Sequence, residues 1–166
     1  MKISISGIRG IYDDDLTLHD GIKFSRLFGS YISKFGTSTC LLARDTRPSS
    51  DVLLKVVCAG LMEQGINIFN LNVAPTPIAF RESRKYKSAL IVTASHNPLE
   101  WNGLKFVIEG RGIFEDELDS MLNGFVSPGI AYGKMYHTYS SYIQDVVDLV
   151  KVNGYADSID SEKTIG

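Results

Sequence analysis

Short apolar runs alternate along this chain with longer segments whose apolar residues recur every three or four positions. The longer segments predict amphipathic helices, and the runs of about five or six apolar residues predict buried strands. Helices are expected near 18–35, 50–64, 76–86, 115–122 and 142–150, and strands near 39–43, 66–71, 88–93 and 103–108. This alternation predicts an α/β fold of three layers, α/β/α, in which helices cover both faces of a mostly parallel mixed sheet.

Residues suited to helix ends support several of these boundaries. Thr17 is placed to cap the first helix and Gly36 to end it. Thr76-Pro77 predicts an N-cap followed by proline at the first helical position. Ser141 and Gln144 have the spacing of a capping box and predict the start of the last helix.

Polar turns follow three of the predicted strands. They are Arg44-Asp45-Thr46-Arg47, Ala74-Pro75-Thr76-Pro77 and the stretch from Ala94 to Asn97. In sheets of this class, ligands bind beyond the carboxyl ends of the strands. The functional site is therefore expected among these turns.

The third turn contains Ser95, His96 and Asn97 in succession. A turn serine most often hydrogen-bonds the local backbone. A nucleophilic serine also needs a base to take its proton and cations where negative charge develops. Adjacent side chains of an extended backbone point to opposite sides, which argues against a direct couple between Ser95 and His96. A serine hydrolase is weakly supported because the chain has no G-x-S-x-G motif.

Lys105 and Arg9 are the cations that could serve this serine. Lys105 follows Gly103 on a strand that could return beside the turn, and burial next to other cations would lower its pKa. Gly7 and Gly10 would let a ligand approach the backbone around Arg9. The alternatives are a solvated strand lysine and an arginine paired with a surface carboxylate. Internal ion pairing is the expectation for Arg44, Asp45 and Arg47.

Composition narrows the class of protein. The 166 residues carry a formal net charge of −2, with a sequence pI near 5.9 and no run of basic residues. Nucleic acid and membrane surfaces favour basic patches, so neither is expected as a partner. Cys40 and Cys58 lie in apolar runs without metal-ligand spacing, which predicts two reduced core thiols in a cytoplasmic protein.

Four motifs occur in the order found in one enzyme family. Ser6-Gly7-Ile8-Arg9-Gly10 comes first. The second motif is the turn Ala43-Arg44-Asp45-Thr46-Arg47, and the third is Ala74-Pro75-Thr76-Pro77. Thr93-Ala94-Ser95-His96-Asn97-Pro98 follows, with Asn102-Gly103-Leu104-Lys105 after it. Over residues 4–107 or so, the chain resembles the α-D-phosphohexomutases, which include phosphoglucomutase, phosphomannomutase and phosphoglucosamine mutase.

The resemblance implies a role for each matching residue. Ser95 would carry a phosphoryl group to and from a hexose phosphate by way of a hexose bisphosphate, which also serves as activator. Magnesium would contact a phosphoryl oxygen on Ser95. Lys105 would act as general acid and base, and Arg9 would stabilise phosphoryl charge. His96 and Asn97 would shape the loop and contact the substrate or its phosphate, while the Arg44–Arg47 turn would support the site.

The family's other functional loops are missing from this sequence. The metal loop D-G-D-G-D-R, the sugar loop G-E-x-S-G-H and the phosphate clamp R-x-S-G-T belong to the second, third and fourth domains of the family, and none occurs here. The chain is therefore expected to be a first domain over 1–150, with 151–166 as a linker or the beginning of domain II. Domains II–IV would be its partners, and the isolated chain would be inactive. A non-catalytic module that binds sugar phosphates or another chain is the alternative, and the identity of the hexose stays open.

Overall fold

The computed structural model describes residues 1–126 and 131–152 of the chain. Over these residues the secondary structure follows the predicted alternation, with four additional short strands. The strands are β1 (Lys2–Ser4), β2 (Gly7–Ile11), β3 (Thr39–Arg44), β4 (Asn67–Val73), β5 (Ser88–Val92), β6 (Trp101–Ile108), β7 (Arg111–Gly112) and β8 (Met135–His137). The helices are α1 (Leu18–Lys34), α2 (Pro48–Glu63), α3 (Thr76–Tyr86), α4 (Glu115–Leu122) and α5 (Tyr142–Val152).

The strands form one mixed sheet in the order β1-β2-β6-β5-β3-β4-β8, and β7 pairs with β6. The pairs β5–β3, β3–β4 and β4–β8 are parallel. The pairs β1–β2, β2–β6 and β6–β5 are antiparallel. The sheet is thus parallel on one side and antiparallel on the other, and β5 lies at the change. This change places the loop after β5 beside the antiparallel strands β6 and β2.

Helices cover both faces of the sheet, which confirms the three-layer prediction. Helices α1, α2 and α4 bury the larger core cluster, in which the rings of Phe28 and Phe106 lie 5.0 Å apart between centroids. Helix α3 covers a smaller cluster on the opposite face. Leu41 and Leu42 are both fully buried but belong to different clusters, because successive side chains of a strand point to opposite faces.

Most helix boundaries agree with the sequence-based expectation. Thr17 forms a complete capping box with Asp20 at the start of α1. Helix α2 begins at Pro48, slightly before the predicted serines, with Arg47 as its N-cap. Helix α3 begins at Thr76, so that Pro75 is the N-cap and Thr76 is not.

The capping box predicted for α5 is not the observed arrangement. The Oγ atom of Ser140 accepts a hydrogen bond from the backbone N–H of Tyr142, and Ser141 Oγ donates to Asp145. The start of α5 is therefore held by neighbouring serines and an aspartate, and Gln144 instead donates to Asp148 further along the helix.

The two cysteines are free and buried, as the sequence predicted. Among the described residues, no helix is both long and apolar enough to cross a membrane. The prediction of a linker or a second-domain start over 151–166 lies outside the described residues from 153 onward.

Candidate functional site

The polar turns after β3, β4 and β5 meet at one edge of the sheet. The backbone N–H of Asp45 donates to the carbonyl of Val92, and that of Ala74 donates to the carbonyl of Arg44. These bonds join each turn to the end of the neighbouring strand. The expectation that the three turns come together is confirmed.

The Ser95 loop, defined here as residues 93–100, connects β5 to β6. Thr93 N–H donates to the carbonyl of Gly103 at 2.9 Å, and Thr93 Oγ1 accepts from Ser95 N–H at 3.0 Å. Ala94 is fully buried, whereas Ser95 and His96 are exposed. The loop is anchored at its base and presents the Ser95 hydroxyl to solvent.

The backbone at Ser95 differs from the extended conformation assumed above. Its φ of 59° lies in the left-handed region, which non-glycine residues seldom adopt. The argument from extended geometry against a Ser95–His96 couple was therefore wrong in its premise. The conclusion itself is consistent with the structure, in which no hydrogen bond joins these two side chains.

Arg9 reaches the loop because β2 pairs with the start of β6. Arg9 lies opposite Gly103 in that antiparallel ladder. A pocket of about 460 Å³ opens beside the loop, with Arg9 on one wall and His96 and Asn97 on the other. The structure thus brings Arg9, His96 and Asn97 to one concave surface, whose lining does not include Ser95 or Lys105.

Lys105 lies two residues beyond Gly103 on β6, so its side chain is on the same face of the sheet as that of Arg9. Its Nζ atom is 5.4 Å from the centroid of the Phe80 ring on α3. Partial burial, followed by repulsion from Arg9, holds the pKa of Lys105 below its ordinary value. A lysine with a lowered pKa gives up its proton more readily, as proton transfer requires.

The ion pairing expected inside the Arg44–Arg47 turn is found for Arg47 but not for Arg44. Arg47 Nε lies 3.0 Å from Asp45 Oδ2, whereas Arg44 pairs at 3.6 Å with Asp51 on α2. Burial disfavours the charged form of Asp45, but hydrogen bonds from Ser50, the Arg47 backbone and Thr93, together with the positive charge of Arg47, outweigh this effect. The pKa of Asp45 consequently lies below its usual value.

Sequence reasoning missed two residues of the pocket. Lys2 lies opposite Arg9 in the β1–β2 pair, and both line the pocket. Trp101, interpreted from sequence only as a packing residue, lines the same pocket, and Lys2 Nζ is 5.8 Å from its ring centroid. The alternation of polar and apolar residues from Lys2 to Ser6 was the available signal for a strand here.

The described residues do not by themselves make a magnesium site. Over 1–126 and 131–152, no group of three or more histidine, cysteine, aspartate or glutamate side chains is arranged to hold a metal ion. The pocket beside the Ser95 loop is lined by the cations Lys2 and Arg9 and by no carboxylate, and a magnesium site requires several oxygen ligands. A metal at Ser95 would need ligands from outside these residues.

Comparison with known proteins agrees with the motifs. Residues 1–126 match the model of the phosphoglucomutase/phosphomannomutase α/β/α domain I. A phosphoglucosamine/phosphogalactosamine mutase of Sulfurisphaera tokodaii is 33% identical over 164 residues, covering 95% of this chain and 35% of the relative. A phosphoglucosamine mutase of Prochlorococcus marinus is 37% identical over 122 residues, covering 70% of this chain and 27% of the relative.

The solved structures include a similar fold. A phosphoglucomutase/phosphomannomutase family protein of Burkholderia thailandensis superposes with a TM-score of 0.76 at 26% identity, covering 90% of this chain and 36% of that one. The chain thus spans about a third of the length of the relatives it matches. On the match of its first 126 residues, this chain belongs to the phosphoglucomutase/phosphomannomutase family and contains the family's α/β/α domain I.

Proposed function

We propose that this chain is the phosphoserine-bearing domain of a phosphohexomutase. Ser95 carries a phosphoryl group, Lys105 moves the proton, and Arg9 stabilises the transferred charge. His96 and Asn97 contact the substrate or its phosphate. The observation that carries the proposal is the exposed Ser95 on a loop whose next two residues line a pocket with Arg9. An exposed oxygen beside fixed positive charge is the arrangement that phosphoryl transfer requires.

The reaction has two transfers. In the first, the bond between Ser95 Oγ and phosphorus breaks, and a bond forms from phosphorus to a free hydroxyl of the hexose phosphate. Neutral Lys105 accepts the proton of that hydroxyl, and the Ser95 oxygen, released from phosphorus, takes a proton from solvent. The product is a hexose bisphosphate. In the second transfer, Ser95 Oγ gives its proton to solvent and bonds the phosphorus at the other position. The bond from that phosphorus to the sugar oxygen breaks, and protonated Lys105 returns a proton to the released sugar oxygen.

We further propose that residues 1–150 work as the first domain of a larger mutase. The chain spans about a third of its relatives. Ile143, Val146 and Val147 on α5 are exposed and lie three to four positions apart on one side of the helix, and apolar surface of this kind favours burial by a neighbouring domain. Domains II–IV would supply that cover, the sugar contacts and the remaining magnesium ligands. The two buried free thiols support a cytoplasmic location.

The proposed substrate is a hexose phosphate of the mannose, glucose or glucosamine type. Glucosamine phosphate is the first to test, because the relatives described above carry phosphoglucosamine mutase names. The test is a mutase assay of the full-length protein with each hexose phosphate, magnesium and catalytic hexose bisphosphate. We expect turnover that is lost in Ser95→Ala and retained in Ser120→Ala, which changes an exposed serine on α4.

A binding measurement and an esterase assay on the same proteins separate the competing functions. Binding of a hexose phosphate without turnover, unaffected by Ser95→Ala, would favour the non-catalytic module. Hydrolysis of an ester substrate, with labelling of Ser95 by an organophosphorus probe, would favour a serine hydrolase. Either result would overturn the proposal.

A further inference from the structure

Arg47 joins the start of α2 to the Ser95 loop through its guanidinium group. It is the N-cap residue of α2, and only 9% of its surface is exposed. Its Nη2 atom donates to the carbonyls of Ser95 and Asn97 at 3.0 and 2.7 Å. Its Nη1 atom donates to the carbonyls of Trp101, at 3.1 Å, and Pro98. One side chain is therefore bound to four carbonyls, three in the Ser95 loop and one at the first residue of β6.

The fifth bond of this guanidinium orients it. Arg47 Nε donates to Asp45 Oδ2 at 3.0 Å, and the other carboxylate oxygen accepts from the Arg47 backbone N–H and from Ser50 Oγ. A guanidinium has five N–H groups, and each has an acceptor here. Lysine, with three N–H groups on a single atom, cannot reproduce the arrangement.

The charge of Arg47 is already balanced by Asp45. The Arg47 guanidinium donates to backbone carbonyls on the inner side of the loop, whereas the pocket wall contains Arg9, His96 and Asn97. Arg47 therefore acts on the loop backbone, and Arg9 is the arginine available to an anion in the pocket.

The bond to the Ser95 carbonyl has a specific consequence. Ser95 has a left-handed φ of 59°, which needs support from its surroundings. Thr93 Oγ1 holds the peptide N–H of Ser95, and Arg47 holds its carbonyl. The two bonds fix the peptide planes on both sides of Ser95 and so fix the direction of its Cα–Cβ bond, which carries the hydroxyl.

We propose that Arg47 is a positioning residue for the phosphoryl carrier, acting through the backbone of the Ser95 loop and not through contact with phosphate. This inference rests on the proposed role of Ser95. Misplacement of a reacting group by about 1 Å can lower a rate by about 100-fold. Loss of the five-bond arrangement should therefore slow phosphoryl transfer at Ser95 while leaving sugar-phosphate affinity nearly unchanged.

The test uses Arg47→Lys in the full-length protein. We expect the rate of Ser95 phosphorylation by saturating hexose 1,6-bisphosphate to fall by about 100-fold, while the Kd for hexose phosphate, measured by calorimetry, changes by less than about threefold. Arg26→Lys is the matched control, since Arg26 pairs with Glu63 across α1 and α2, away from the loop. Arg26→Lys should leave both the rate of Ser95 phosphorylation and the Kd for hexose phosphate unchanged. Thermal unfolding establishes that each variant is folded at the assay temperature.

Asp45→Asn is the second variant, for use if Arg47→Lys does not fold. It keeps the shape of the side chain but weakens the bond that orients Arg47, and it should also lower the phosphorylation rate at nearly constant Kd. The inference is overturned if a folded variant is phosphorylated at the wild-type rate, or if Kd rises as much as the rate falls. If wild-type Ser95 is not phosphorylated at all, the proposed function fails instead.

Discussion

Arg9 and Gly103 face each other across the antiparallel pair of β2 and β6, and the side chain of Arg9 crosses the space above Gly103. A Cβ atom at position 103 would lie 2.9 Å from Arg9 Cγ and 2.9 Å from the carbonyl oxygen of Thr93. It would also lie 2.4 Å from the carbonyl oxygen of Ile8. The missing side chain of Gly103 therefore allows β2, β6 and the base of the Ser95 loop to meet.

Substitution of Gly103 by alanine should separate these three segments. We expect a loss of about 1–3 kcal/mol in the free energy of unfolding, because two of the contacts are with backbone oxygens that cannot move independently. Urea denaturation of the 166-residue chain measures this change in the free energy of unfolding. Gly112→Ala is the matched control, since a Cβ there meets nothing within 4 Å. Equal stability of the two variants would contradict the close approach.

Lys105 should reduce stability at neutral pH. Its pKa is lowered by partial burial and then by Arg9, so the folded chain binds this proton less tightly than the unfolded chain. The unfolded chain holds more protons between the folded pKa and 10.5, and stability therefore rises with pH over that interval. We expect Lys105→Met to be more stable than wild type at pH 7 and to lose much of this advantage near pH 10.5.

Urea denaturation of both proteins at the two pH values measures the effect. The control is Lys55→Met, which removes an exposed lysine from the surface of α2 and should change stability by less than about 0.5 kcal/mol. A Lys105→Met protein less stable than wild type at pH 7 would show that the ammonium is favourably placed and that Lys105 is not predisposed to lose its proton.

Residues 1–166 alone should not convert a hexose 1-phosphate to a hexose 6-phosphate, even with magnesium and hexose bisphosphate. The described residues offer no group of three metal-binding side chains, and the chain spans about a third of its relatives. A coupled assay that reports hexose 6-phosphate measures turnover, with the full-length protein as positive control. Sustained turnover by the 166-residue chain would show that further domains are not needed.

Local chemistry made much of this fold predictable. The capping box at Thr17 and the apolar runs of β3 and β5 are properties of neighbouring residues, and these boundaries were placed within one or two residues. These features could be predicted because their causes lie within a few positions of the sequence.

The features that escaped prediction depend on residues far apart in the chain. Four of the five bonds of the Arg47 guanidinium reach residues about 50 positions away, and nothing in the local sequence identifies their acceptors. The left-handed backbone at Ser95 is held by the same tertiary contacts. Strand β1 is exposed at every position, so it lacks the buried apolar face that identifies most strands, and Lys2 was missed with it.

The central claim is that Ser95 carries a phosphoryl group, and intact mass spectrometry of the full-length protein after incubation with a hexose 1,6-bisphosphate tests it most directly. The account predicts a mass gain of one phosphoryl group, mapped to Ser95 by peptide fragmentation. The gain should be absent in Ser95→Ala, present in Ser120→Ala and reversed when excess hexose phosphate is added. A folded protein that gains no phosphoryl group, or gains one at another residue while Ser95→Ala remains active, would contradict it.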